Sequence, residues 1–443
     1  MTPDRTRPES RKYKGIEHQL QKIRFEEHVL RSGFKRRKAR KISGRDLLVS
    51  FILMAMQGKN TFQHWSEQLG LLLGTTVSRQ AIWKRVNDRL TRFLMSVMFD
   101  VLSEHTRTAH SQATGLVGPG RYARILVQDS TVIGLPDALS QFFPGSVSRG
   151  KKKALLKIQA VYDLLGDRFV HFGLTPYTDN DQSRSKDILS IASKGDMVIR
   201  DLGYFAMNCF AQMMSRGVCF ISRMRSGVIL FDPVTGKESD LLRILRRTGH
   251  FDQKVLVGRD QRTELRVVAV KLPEGQAEQR IRKARQDRDK RLNHSKEYYE
   301  LLGYSVYMTS ESADELSVKQ IVALYGCRWR IETIFKCWKS HFNLQKVMPQ
   351  NVSLTKERAE AIIYMMLIFI LLFQVNVYDQ VLRQAQADTD RVVSLVKLCQ
   401  YVAQNIWLFL TTDHQELIKG IFYYCCYDRR RNRLNFIQKS KLG

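Results

Sequence analysis

The chain has 443 residues, with 72 Lys plus Arg against 43 Asp plus Glu and a formal net charge of +29. A surface this basic repels itself unless it meets a polyanion, so nucleic acid is the leading partner. The longest apolar run, Ala361 to Phe373, is 13 residues, short of the roughly 18 that a membrane span needs, and the seven cysteines show no C-x-x-C pair and no Cys/His zinc spacing.

Those cysteines are expected as free, mostly buried thiols in a reducing cytosol. The polar, basic N-terminus carries no apolar segment of a secretory signal. Residues 1–115 read as a helical DNA-binding region. Lys35-Arg-Arg-Lys38 is a basic cluster, either a solvated tail or a phosphate-binding arm. Ser43 is placed to cap a helix from Asp46 through Ala55, and Thr61 to cap a second through Trp65 and Leu69. From Gly74 to Val86, a Gly-containing turn leads through a Ser78 cap into a short helix carrying Arg79, Gln80, Lys84 and Arg85. This is how a helix-turn-helix recognition element reads, with Ala81, Ile82 and Val86 turned inward. Many helical bundles contain the same turn without touching DNA.

A Gly-rich stretch at 111–122 marks a boundary. Residues 120–217 then read as the first part of a mixed α/β core. Ile125-Leu-Val-Gln-Asp129 and Met197-Val-Ile-Arg-Asp201 look like buried strands, each ending in a carboxylate. Between them, Leu156 to Asp163 and Arg168 to Leu174 alternate and meet at Gly166-Asp167, a hairpin. A polar helix is expected around Arg184 to Ala192, and another from Phe205. Strand, hairpin, helix, strand, helix is the order of a ribonuclease-H-like mixed sheet. Asp137, Asp163, Asp179, Asp181 and Asp196 rival Asp129 for a catalytic role, but they sit in turn-like or polar surroundings.

Residues 218–300 read as a β-rich insertion closed by a basic helix from Gln279 to Arg291, with Arg280, Lys283, Arg285 and Arg288 as DNA-backbone contacts. The competing reading of that helix is a solvated charged face. Residues 301–385 return to the core through a strand at Tyr304 to Thr309. The stretch Tyr325 to Lys339 reads as one helix, anchored by Cys327, Ile331, Ile334, Phe335 and Trp338. Tyr325, Arg328, Glu332 and Lys339 lie at +3, +4 and +7 spacings and share one edge of it. Ala361 to Phe373 reads as a buried helix. Residues 386–443 form a helical C-terminal region, with Trp407 and Phe409 in its core and a basic end at Arg429 to Arg433.

An Arg–Glu pair at i,i+4 on a solvated helix is the bland account of the Tyr325 edge. Two distant strand-end aspartates change that. Asp129, Asp201 and Glu332 can converge to hold two divalent cations, which would activate a nucleophile and stabilise a leaving oxygen on phosphorus. Carboxylates without Cys or His suit Mg²⁺ or Mn²⁺ rather than Zn²⁺.

Tyr325-x2-Arg328-x3-Glu332-x6-Lys339 resembles the Y-x2-R-x3-E-x6-K signature of bacterial DDE transposases of the insertion-sequence-four family. Gln128-Asp129-Ser130-Thr131 and Asp201-Leu-Gly-Tyr204-Phe205 resemble the blocks around that family's two aspartates. The resemblance spans about 120–385 and implies DNA cleavage and strand transfer at terminal inverted repeats. It also implies a dimer on paired transposon ends that captures target DNA, in the bacterial cytoplasm at the nucleoid. A metal-dependent nuclease or resolvase would share the acidic triad, and an inactive DNA-binding regulator would share the basic helices. In the family, the counterparts of Tyr325, Arg328 and Lys339 grip phosphates next to the cut, near a base turned out as a hairpin forms. A tryptophan of the insertion usually holds that base. This chain departs there, since positions 202–324 contain no Trp; Phe231, Phe251 and Tyr304 are the substitutes the sequence offers.

Overall fold

The computed structural model describes residues 25–34, 42–107, 117–118, 120–148, 150–286, 294–349, 354–388, 392–411 and 414–427. The basic clusters at 35–38 and 429–433, and Arg288, lie outside the described residues. The centre of the molecule is a mixed sheet of eleven strands with helices on both sides. In chain order the strands are β1 (Ile125–Leu135), β2 (Pro144–Ser148), β3 (Lys151–Asp163), β4 (Arg168–Pro176), β5 (Met197–Arg200), β6 (Cys219–Arg223), β7 (Leu230–Phe231), β8 (Glu238–Ser239), β9 (Phe251–Val257), β10 (Thr263–Lys271) and β11 (Tyr304–Thr309).

The spatial order is β2-β3-β1-β5-β6-β11-β10-β9-β7-β8, with β4 also on β3. The β3–β4 hairpin and the β1–β3 pair are antiparallel, whereas β5 runs parallel to β1 and β6 parallel to β5. The boundary drawn at 217/218 therefore falls just ahead of a strand of the central sheet. The strands that follow do not fold away from it; β11, β10 and β9 extend the same sheet by antiparallel pairing.

Side-chain alternation along these strands divides the interior in two. Ile125, Val127, Met197, Ile199, Ile221 and Tyr307 face one core together with the helices at 318–340 and 356–373. Leu126, Val198, Phe220, Val267 and Met308 face the other. Buried on both faces, the central strands read as continuous apolar runs.

The N-terminal helices start where their caps dictate. Ser43 and Asp46 form a capping box on Gly44–Gln57, and Thr61 caps Phe62–Leu73. Ser78 caps Arg79–Arg85, with Ile82 and Val86 buried. The apolar run lies in the helix Lys356–Phe373, where Ala361 to Phe373 are buried except at Tyr364. A helix long and apolar enough to span a bilayer is thus used here as core. Of the two residues expected in the C-terminal core, Phe409 is buried, but Trp407 is 38% exposed.

Candidate active site

Parity decides which way the two aspartates point. Asp129 follows Ile125 and Val127 by even steps, and Asp201 follows Met197 and Ile199, so both belong to the face covered by the 318–340 helices. β1 and β5 are neighbours in register, Gln128 opposite Arg200. Both aspartates sit one residue beyond the last β1–β5 pair, but only Asp201 leaves its strand; Asp129 does not end β1 as expected, because β1 runs on to Leu135 along β3 with Asp129 opposite Ala160.

The expected continuous helix from Tyr325 to Lys339 is two helices, Val318–Gly326 and Trp329–Ser340. Gly326, exposed and without a side chain, is a weak point in a helix interior. Around it the backbone tightens: Arg328 N bonds Tyr325 O at 3.1 Å and Arg330 N bonds Cys327 O at 2.9 Å, three residues back rather than four. Tyr325 thus ends one helix and Arg328 begins the next.

Arg328 is the hub of the site. Its Nη1 lies 2.7 Å from Glu332 Oε1 and 3.4 Å from Asp129 Oδ2, and its Nε lies 3.9 Å from Asp201 Oδ1. Three carboxylates from three separate parts of the chain surround one guanidinium that is 7% exposed. Burial works against its charge, yet Asp201, Glu332 and Asp129 outweigh burial and hold its pKa above the ordinary value. The Tyr325 hydroxyl donates to Asp201 Oδ1 at 3.1 Å. Burial, reinforced by Asp201, keeps this phenol protonated far above its usual range. Lys339, two turns beyond Glu332, is half-buried, and burial lowers its pKa.

Of the three acids, Asp129 is the most enclosed by its surroundings. Burial pushes its carboxyl up to about 7; Ser130 N–H at 2.7 Å and Arg328 pull it down, and Asp201 and Glu332 push it up again. The rival aspartates are engaged elsewhere. Asp163 accepts from the backbone N–H groups of Ile125, Leu165 and Gly166, which makes it the lock of the β3–β4 turn. Asp137 pairs with Lys153, Asp179 with Arg184, and Asp196 with Arg124. Asp181 stands nearest to the site, bonded to Ser130 Oγ at 3.1 Å and to Lys157 Nζ at 3.0 Å.

The basic residues expected to meet DNA divide into two groups. Arg79, Gln80 and Lys84 are all exposed on their helix. The helix Glu274–Arg285 buries no residue, and Lys283 and Arg285 are exposed along it. Arg280 is different: it turns inward and donates to Tyr304 O at 3.3 Å and Ser305 Oγ at 3.2 Å. Of the substitute aromatics, Phe231 and Phe251 are buried, with Arg262 stacked 4.4 Å from the Phe231 ring. The large exposed aromatic at the site is one that the sequence pattern does not select. Trp329 is 57% exposed, with Arg328 and Lys336 on its ring at 5.9 and 5.7 Å. Its one signal is its place beside Arg328.

The donor set suits a hard divalent cation: carboxylate oxygens alone, one of them pushed toward its neutral form by burial and by its two neighbours. Among the described residues no three His, Cys, Asp or Glu side chains converge closely enough to share one ion. The carboxylates are instead arrayed around Arg328, a cation already among them.

Residues 122–372 match the family of the transposase DDE domain. The chain is similar to the transposase for insertion sequence element IS231D of Bacillus thuringiensis subsp. finitimus, 31% identical over 364 residues that cover 77% of this chain and 74% of that one. It is also similar to the transposase for IS231B of Bacillus thuringiensis subsp. berliner, 30% identical over 369 residues, 78% and 75% of the two chains. Among solved structures it is similar to a chain of the piggyBac transposase synaptic complex with hairpin DNA, at a TM-score of 0.45 and 10% identity, covering 96% of this chain and 86% of that one.

Proposed function

The chain belongs to the transposase DDE domain family, and from that membership we propose a cut-and-paste reaction in which Asp129, Asp201 and Glu332 are the catalytic carboxylates. The observation that carries the assignment is the approach of all three, within 4 Å, to the Arg328 guanidinium. The strand order β4-β3-β1-β5-β6, with its antiparallel hairpin and parallel β5 and β6, supports a ribonuclease-H-like core whose first part runs past the 217 boundary to include β6.

The same three carboxylates would hold Mg²⁺ or Mn²⁺, two ions by resemblance. Bound metal would supply an activated water, and later an activated 3′-hydroxyl, and would stabilise the leaving oxygen. The chain's own groups orient the site. Tyr325 holds Asp201 by a hydrogen bond, and Arg328 keeps Glu332 and Asp129 facing one another. Arg328 and Lys339 offer the positive charge a scissile phosphate needs, Arg328 in bidentate form. Trp329 presents an indole face on which an unstacked base can lie. The substrate is double-stranded DNA, first the element's inverted repeats and then a target, held by a homodimer on paired ends. Incubation with labelled element ends, target plasmid and Mg²⁺ tests the reading. Joined products are the expected result. Cuts without joining would indicate a nuclease, and binding alone a regulator.

Two predictions arise here. Each phosphate neutralised contributes about 0.9 to the slope of log K against log salt. If Lys283 and Arg285 each neutralise one phosphate, replacing both with Gln should flatten that slope by about 1.8. An unchanged slope, from fluorescence anisotropy across a salt series, would return the helix to a solvated role. Arg280→Gln should change the slope little, since its guanidinium is spent on Tyr304 and Ser305.

The second concerns pH. The Asp129 pKa is raised from 3.8 to about 7, so the folded state binds this proton more tightly than the unfolded chain does. Its contribution to stability is present below about 4 and is lost as pH rises through about 7. A divalent ion must displace the proton. Mg²⁺ affinity should therefore fall about tenfold per pH unit below about 7, with one proton released per site. Calorimetry in two buffers of different ionisation enthalpy reads both quantities. An affinity constant from pH 5 to 8 would remove Asp129 from the metal site.

A further inference from the structure

Behind the acids, on the opposite face of the sheet, lies a buried arginine. Arg200 immediately precedes Asp201, and Gln128 immediately precedes Asp129. Alternation turns both toward the second core, away from the catalytic helix. Arg200 is 0% exposed and Gln128 3% exposed. The guanidinium donates through Nη2 to Gln128 Oε1 at 2.8 Å and Ser185 O at 2.5 Å, and through Nη1 to Cys209 Sγ at 3.2 Å. Its Nε has no hydrogen-bond partner. Gln128 Nε2 in turn donates to Arg184 O at 3.2 Å.

Among the described residues no carboxylate lies within ion-pair distance of Arg200. Burying a guanidinium this way is expensive, and an apolar residue would pack a strand of this kind more cheaply. The site therefore retains the charge for what its fork can reach. Gln128 and Arg200 are register partners across the parallel β1–β5 pair. Their side chains close a bridge at the last paired position before each acid.

We propose that Arg200 is a positioning residue that, braced against Gln128, fixes how far apart and in what orientation the Asp129 and Asp201 side chains project from the sheet. The proposal rests on the catalytic assignment above and deepens it. Asp129 is anchored by Ser130 N–H and Arg328, whereas Asp201 is 43% exposed at its side chain and, among the described residues, holds Tyr325 alone at hydrogen-bond distance. The brace acts where the more exposed acid begins.

The test uses the full-length chain and Mn²⁺, with binding read from loss of the free-ion electron paramagnetic resonance signal. Gln128→Met keeps the volume and removes the β1 end of the bridge. Arg200→Lys keeps the charge but loses the planar fork whose two terminal nitrogens reach Cys209 on one side and Gln128 and Ser185 on the other. Both variants should raise the Mn²⁺ dissociation constant about tenfold, with binding to duplex DNA unchanged. A merely structural role would lower the melting temperature and leave the ion affinity of the folded protein as it was. If Arg200→Lys does not fold, Gln128→Met, which leaves the other two acceptors of Arg200 in place, carries the test. Folded variants with wild-type Mn²⁺ titrations, beside an Asp201→Asn control that binds Mn²⁺ weakly, overturn the brace alone. An Asp201→Asn titration that superposes on wild type overturns the catalytic assignment and the brace with it.

Discussion

Asp129→Asn, Asp201→Asn and Glu332→Gln should each lower DNA cleavage by about 10³-fold or more, which is roughly 4 kcal/mol of transition-state stabilisation at 1.36 kcal/mol per decade. Each change is close to isosteric and removes a charge from a site where three carboxylates surround one guanidinium. On the proposed assignment, loss of any one acid would leave too few anionic oxygens for a divalent ion. Arg328 then faces two acids instead of three. The effects should not add: a double variant should be about as inactive as either single one, because groups that act as a unit are non-additive. Binding to element ends should persist, since the exposed cations at Arg79, Lys84, Lys283 and Arg285 are untouched. Cleavage and binding must be measured on the same labelled ends. Normal cleavage by any one variant would remove that residue from the site.

The two strands and the faces their acids occupy were legible in the sequence because two rules agreed there, although β1 continues past Asp129 to Leu135 through pairing with β3 that local pattern does not encode. A short apolar run bounded by a polar residue gives a buried strand, and alternation then gives the face on which the acid leaves it. Those rules separate Asp129 from Asp163, an acid that also ends an apolar run. Asp163 lies at the opposite end of an antiparallel partner, where it closes a turn. The helical edge was legible in its residues but not in its backbone. Helical periodicity does not register the tightening after Gly326, since the chain stays right-handed and Arg328 and Glu332 keep their i,i+4 relation at the start of the second helix.

Less was legible wherever a long side chain chooses between water and a neighbour. Arg280 reads as a surface cation by composition, yet it finds Tyr304 O and Ser305 Oγ beneath it. The extension of the sheet through β11, β10 and β9 depends on pairing between segments distant in the chain, and local pattern does not encode that. Arg200 is the clearest instance. A sequence rule puts an arginine before Asp201 at the surface, whereas parity puts it inside.

A second buried charge pair should dominate stability. Arg330 lies two residues before Glu332, with Nε 3.3 Å from Asp167 Oδ1 and Nη2 3.2 Å from Oδ2, each side chain 10% exposed. Asp167 also accepts from the Tyr162 hydroxyl, and its carbonyl accepts from Gln374 Nε2. Arg330 bonds the Tyr378 hydroxyl as well, so the β3–β4 turn, the Glu332 helix and the π-helical turn Gln374–Tyr378 meet at one ion pair. Removing one partner of such a pair leaves the other buried and uncompensated, at a loss of about 3–5 kcal/mol. Asp167→Asn is the informative change. Asp167 has φ 48°, a left-handed conformation that asparagine tolerates, so backbone strain does not enter. The amide keeps the volume and an acceptor for Tyr162, so what is lost is charge. Asp137→Asn is the control, because the Asp137–Lys153 pair is nearly half exposed on both sides and should contribute less than about 1 kcal/mol. Trp338 reports on this region: it is 2% exposed and packs on Phe169, two residues beyond Asp167. Urea unfolding followed by tryptophan fluorescence should show a large fall in midpoint for Asp167→Asn and almost none for Asp137→Asn. Equal midpoints would mean that apolar packing around Trp338, rather than the ion pair, holds the Trp329–Ser340 helix on the sheet.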